Sequence, residues 1–442
     1  MSHRKVMCAV RRGHSMGETD TGTTRVVDAG GSRPDRAGIV SMVLALVPLS
    51  LVLGALVGLG TITLLRGSEA IQSLLWETIP DRLDIVWYPV LVCSVGGLLV
   101  GLWTRRCGHT LDQLDAVISR VREHGGYCLP SVSQALVLFL LPLAFGGAVG
   151  PEAGIAGFLA AGLTWTATTL RRAGVDMVRL DVLDVATATG TALRAPFARG
   201  LEDGIDYSSY AYSKVAKAIL YSVEGLGAAC GIALFLVVFG GGSGLPRFPG
   251  PSLPTGEIVG SIPWALLLAL VGCVLAALAL FSRNVFERIR RASSAHPVAR
   301  AVLTGCALGC VAMALPDVLL SGQASSRALV ATWGTSASVA LLVAGVAKVV
   351  MTQACIEGDW VGGAFFPMIF SGAAVGYSLA LLVGLDPALG VVVVTSALVS
   401  GVTGKPLLTV AVLALCLQPA CLPLALVVAY ASSWLRGRLV EA

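Results

Sequence analysis

Long runs of this 442-residue chain contain no Asp, Glu, Lys or Arg: 37–65, 85–104, 153–170, 225–246, 258–282, 328–347, 360–385, 387–404 and 406–435. Residues 124–151 are equally free of them after His124, and a shorter piece lies at 301–316. A helix crossing the hydrocarbon core of a bilayer needs about 20 mostly apolar residues. Several runs fall short of that length, and several of the longer ones contain internal Gly and Pro. The pattern predicts an all-α polytopic membrane protein with broken, re-entrant and tilted helices rather than uniform rods. Alternating ten-residue segments, the mark of a membrane barrel, are not seen.

Composition closes off the other classes. Charged residues are 13% of the chain, against about 25% in a soluble domain. A soluble protein of this size has a large surface and needs many charges to cover it. A soluble enzyme, a disordered chain and a nucleic-acid binder are therefore excluded, and the lipid bilayer is the expected surrounding. The 52 glycines beside 6% aromatics suit helices that approach closely in lipid. The 11 Cys form no CxxC pattern, and the five His sit outside the apolar centres and do not cluster. No metal and no cofactor are expected from them.

Residues 1–36 carry net +3 of the chain's +5. No apolar core follows their first basic residues, so they do not read as a secretory signal. They read as a disordered basic cytoplasmic tail, with Met16 an alternative start, ahead of a transmembrane domain at 37–437. The loop 66–84 is net acidic and the next opens with Arg105-Arg106. The positive-inside rule then puts the N-terminus in the cytoplasm, and a bacterial-type plasma membrane is the expected location.

The chain repeats itself. Residues 146–151 read Gly-Gly-Ala-Val-Gly-Pro, and residues 362–367 read Gly-Gly-Ala-Phe-Phe-Pro. Each precedes an apolar, small-residue helix. A second proline follows each at similar distance, Pro196 after Arg194-Ala195 and Pro406 after Lys405. The first half is expected at about 37–210 and the second at about 211–437. Proline suits a first helical turn because the N–H it lacks has no partner there, and the glycines leave the preceding backbone bare. Each motif therefore begins a helix with unpaired amides. Within a membrane such a start must face a cavity or a partner, and its dipole and N–H groups attract an anion. Two such starts aimed at one point make an anion pathway. A tight glycine turn between packed helices is the alternative.

These blocks resemble the CLC family of chloride channels and proton-coupled exchangers. Gly147-Ala148-Val149-Gly150-Pro151 resembles the family's G-K/R-E-G-P motif, and Gly363-Ala364-Phe365-Phe366-Pro367 its G-x-F-x-P motif. The similarity covers about 85–436. It implies an inverted-repeat bundle, a pore in each subunit of a homodimer, and a central small inorganic anion ringed by backbone amides. The candidate anion-binding residues are Gly147, Ala148, Val149, Gly150, Gly363, Ala364, Phe365 and Phe366. Ala364 and Phe365 match the family's amide donors.

The departures are large. The family's gating glutamate falls on Val149, which can neither compete with an anion nor carry a proton. The motif G-S-G-x-P should lie about 40 residues before Pro151, where Cys107-Gly108-His109-Thr110 stands instead. The matching Gly242-Ser243-Gly244-Leu245-Pro246 comes after Pro151 and reads as a loop. No room follows Trp434 for the last helix and its anion-binding Tyr. The resemblance with Val149 in place implies passive, proton-uncoupled transport of a chloride-like anion. A secondary anion transporter, or a proton-coupled exchanger using a displaced acid, is the alternative.

Glu152 follows Pro151 directly and reads as a dipole partner or cap. As a substitute gate it stands three positions past Val149, and so points elsewhere. Asp206 reads as an interfacial acid near Lys214. Arg194 and Lys405 either raise the positive potential at their helix starts or snorkel. Lys348 is isolated among apolar residues and is expected to pair with Glu357 or Asp359. An enzyme reading needs Glu202-Asp203-Gly204-Ile205-Asp206, with Asp181/Asp184 or Asp112/Asp115, as a Mg²⁺–diphosphate site. It leaves both proline motifs unexplained, so the chain is not expected to be an enzyme.

Overall fold

In the computed structural model the described residues are 36–83, 85–107, 132–152, 154, parts of 226–239, 246–250 and 258–441. Outside them lie the N-terminal tail with Met16, the run 153–170, Asp112/Asp115, Asp181/Asp184, Arg194–Pro196, Glu202–Asp206, Lys214, Gly242–Leu245 and the midpoint of the repeat. The chain divides into two compact units, Met1–Met42 and Val43–Ala442. The second unit holds both proline motifs and every described helix from Pro80 onward.

The described residues are mainly helical, with six helices long and apolar enough to cross a membrane. In chain order they are α1 (Arg36–Ser73), α2 (Pro80–Leu83), α3 (Tyr88–Cys107), α4 (Val132–Ala144), α5 (Ile258–Ala292), α6 (Pro297–Ala314), α7 (Gln323–Thr332), α8 (Ser338–Glu357), α9 (Phe365–Val383), α10 (Pro387–Thr403), α11 (Pro406–Leu413) and α12 (Leu422–Glu441). Prolines open α6, α10 and α11 in their first turn, where the missing N–H has no helical partner.

Two of the apolar runs are cut by short turns. Residues 328–347 divide between α7 and α8, separated by a short 3₁₀ turn at Trp333–Thr335. Residues 406–435 divide between the eight-residue α11 and α12. The piece at 301–316, short by its charge-free length, belongs to a full 18-residue helix from Pro297. Arg300 lies inside α6 because Asp359 neutralises it.

α10 is the centre of the second half. It is 17 residues long, capped by Asp386, whose carboxylate accepts the amides of Ala388 (2.8 Å) and Leu389 (3.2 Å). Its residues from Ala388 to Gly401 are buried, packed by α5, α9 and α12. Two serines tie it to α12: Ser400 donates to the Ala429 carbonyl (2.6 Å) and Ser432 to the Ala397 carbonyl (2.7 Å). Such short polar side chains join helices in lipid, where burial alone does not drive association.

Glycine sets the closest contacts. α3 and α6 pack antiparallel, and a Cβ on Gly101 would lie 2.7 Å from the Val298 Cα. In α9 and α10, a Cβ on Gly376 would lie 2.6 Å from the Gly390 carbonyl carbon. Both distances are below any real side-chain contact, so the backbones touch only because no side chain intervenes.

Candidate functional site

The two proline motifs meet. Gly150 donates its N–H to the Gly363 carbonyl (2.7 Å), and Gly363 returns the bond to the Gly150 carbonyl (2.8 Å). This two-residue antiparallel bridge stands outside any sheet. The loops that come together there belong to repeats more than 200 residues apart, and each leads into helix: residues 152 and 154 after Pro151, and α9 around Pro367.

The amides of the first motif are already engaged. Gly147 donates to the Pro142 carbonyl (2.8 Å), Val149 to the Gly147 carbonyl (2.8 Å), and Gly150 to Gly363. The Ala148 N–H faces the buried Cys355 sulfur. Ala148 and Val149 are fully buried, and the Val149 side chain presses on Gly362.

The second motif has donors to offer. Ala364 caps α9, and Phe365 and Phe366 are its first two residues. Pro367 has no N–H, and the Met368 N–H closes the first turn on the Ala364 carbonyl (3.0 Å). The Phe365 and Phe366 amides thus have no helical acceptor. Phe366 donates to Glu152 Oε1 at 2.8 Å. Glu152 Oε2 is buried and has no hydrogen-bond partner among the described residues; the Phe365 amide lies beside this carboxylate. A Cβ on Gly150 or on Gly363 would collide with Oε2, so both glycines leave room for it.

Glu152 therefore caps a helix start, but the start belongs to the other repeat. Position along its own helix gives the direction in which Glu152 leaves that helix. It carries no information about the helix start that the fold brings opposite.

Below the carboxylate lies a cavity of about 90 Å³, well above the ~10–15 Å³ that admits one water. Glu152, Gly363, Phe365, Gln353 and Thr403 line it, and Arg283 and Lys405 bring two cations to it. Lys405 occupies the N-cap position of α11, its N–H on Thr403 Oγ1 (3.3 Å). Arg283 is half-exposed and lies 3.7 Å from Glu357, which Arg290 also holds at 2.8 Å.

Lys348 corrects the pairing expected of it. Glu357 is taken by Arg290 and Arg283, and Asp359 by Arg300. Fully buried Lys348 donates instead to the backbone carbonyls of Asp317 (2.7 Å), Leu319 (2.9 Å) and Val318 (3.3 Å), and lies over the Phe370 ring. Leu320, next in that loop, donates to the Gly146 carbonyl (3.0 Å). Lys348 thus secures the loop on which the first motif rests. Gln353 is not singled out by the sequence; its signal is an amide within a mostly apolar helix, four residues before its end. Among the described residues no three His, Cys, Asp or Glu side chains group as metal ligands.

Discontinuous helices whose starts meet over a cation-lined cavity define a helical membrane transport protein. A family profile described as "Voltage gated chloride channel" matches residues 96–437, and the chain belongs to that family, the CLC proteins. Its fold is similar to that of a CLC-type fluoride/proton antiporter, with TM-score 0.62 and 19% identity over 88% of this chain and 95% of that one. It is similar also to a slow cyanobacterial Cl⁻/H⁺ antiporter, with TM-score 0.64 and 15% identity over 90% and 94%. A eukaryotic CLC transporter gives TM-score 0.59 and 13% identity over 89% and 72%. Comparison with curated proteins finds no match.

Proposed function

We propose that this protein exchanges a small inorganic anion for protons, with Glu152 as the displaced acid. The observation that carries the reading is the 2.8 Å bond from the Phe366 amide to Glu152. A carboxylate on that amide occupies the seat an anion needs, and must leave before the anion binds. A carboxylate leaves most readily as the neutral acid, because protonation removes the charge that the helix start attracts. Anion arrival and proton uptake are then two halves of one event. The amides of Ala364, Phe365 and Phe366 hold the anion, while Gly147, Ala148, Val149 and Gly150 form the wall behind it.

Sidedness follows from the basic residues. Arg105 and Arg106 end α3, whose C-terminal end packs on the start of α6, just after Arg290 and Arg291 of α5. Arg436 of α12 reaches Gly404, beside Lys405. Taken as one face, these cations mark the cytoplasmic side by the positive-inside rule. The cavity holding Arg283 and Lys405 then opens inward. Two copies of the chain, each with its own pathway, form the working unit.

Val149 favours a second reading. Fully buried against Gly362, it suits a fixed apolar constriction, and passive flux without protons. Purified protein in liposomes separates the two. Under an imposed chloride gradient at equal pH, exchange moves protons in fixed ratio to chloride, and Glu152→Gln abolishes the proton component while chloride still moves. Chloride flux with no proton movement in the unmodified protein rejects exchange and supports the passive route.

A further inference from the structure

Gln353 lies near the C-terminal end of α8, between Thr352 and the apolar Ala354-Cys355-Ile356. It is 3% exposed and lines the cavity below Glu152. Neither amide atom hydrogen-bonds to a described residue, yet neither is sealed away from the cavity. An amide facing such a cavity is satisfied by water or by a ligand held there. Its place beside Arg283, Lys405 and the Phe365 helix start shows what would satisfy it. Arg283, Lys405 and the Phe365 helix start favour negative charge there, and the amide –NH₂ supplies two donors to it.

We propose that Gln353 is a direct side-chain ligand of the transported anion, and sets which anion the cavity accepts. It holds the anion on the Arg283–Lys405 side before the anion displaces Glu152 from the Phe366 amide. A neutral donor suits this position, since a third cation would bind the anion too tightly to release it. The planar amide can also follow a planar anion such as nitrate as well as a spherical halide. The inference rests on the anion-transport reading but does not need proton coupling.

The experiment is calorimetric titration of the purified full chain with chloride and with nitrate, comparing unmodified protein, Gln353→Leu and Gln353→Glu, each also combined with Glu152→Ala. Losing a hydrogen bond to a charged ligand weakens binding by about 10- to 150-fold. Gln353→Leu is expected to weaken chloride within that range and to change the nitrate-to-chloride ratio. Gln353→Glu, which adds like charge, is expected to weaken both further. Should Gln353→Glu fail to fold, Gln353→Leu alone decides, with its melting temperature as the control. A merely structural role lowers that temperature and leaves the ratio unchanged. Unchanged chloride affinity and unchanged ratio in folded Gln353→Leu overturn the proposal. If Glu152→Ala leaves affinity unaltered while Gln353→Leu lowers it, the role of Glu152 fails and that of Gln353 stands.

Discussion

Removing Glu152 is expected to tighten anion binding. An anion reaching α9 must displace the carboxylate from the Phe366 amide, a charge-assisted bond of 2.8 Å. Such a bond contributes about 1.5–3 kcal/mol net. Glu152→Ala takes the competitor away, so apparent affinity rises by up to about 10- to 150-fold. Glu152→Gln keeps an acceptor within reach but makes it neutral, with a bond contributing about 0.5–1.5 kcal/mol. Its affinity is expected between those of Glu152→Ala and the unmodified protein. Calorimetric titration with chloride at fixed pH reads the order directly. The same affinity in all three, with melting temperatures unchanged, refutes competition for one seat. Weaker binding in Glu152→Ala refutes it more strongly, since the carboxylate would then be supporting the site.

Three further substitutions test the frame around the seat. Lys348→Met strands the carbonyls of residues 317–319 and is expected to destabilise the protein by about 1–3 kcal/mol; equal or higher thermal stability in detergent would mean that desolvating the ammonium outweighs its bonds. Arg300→Ala leaves Asp359 buried without its partner, at about 3–5 kcal/mol, and adding Asp359→Asn should recover part of the loss; no recovery on thermal melting argues against the pair. Val149→Ala should raise chloride flux by opening the neck at Gly362, at about 2 kcal/mol of stability for two lost methylene equivalents; unchanged flux removes Val149 from the pathway.

The parts of the fold written in local chemistry were legible in the sequence. The charge-free runs 85–104, 258–282 and 360–385 mark spans, glycine excess marks close helix pairs such as Gly101 on Val298, and the paired Gly-Gly-Ala motifs mark two helix starts. Their meeting at Gly150 and Gly363 agrees with the convergence inferred from dipoles and bare amides. What escaped depends on partners distant in sequence. Glu152 looked like a cap for its own helix, and only the fold shows it capping α9. Lys348 satisfies itself on backbone carbonyls, which every residue carries and no motif records. Arg300 made α6 look short because a charge was counted as an end, and Asp359 is 59 residues away.

The central claim is that one amide seat, on Phe366, serves both Glu152 and the anion. Locating bromide by its anomalous scattering in crystals of Glu152→Ala tests this most directly. A bromide is expected within hydrogen-bond reach of the Phe365 and Phe366 amides, at the position the Glu152 carboxylate held. Bromide bound elsewhere, with water on those amides and the α9 start otherwise unchanged, would contradict it.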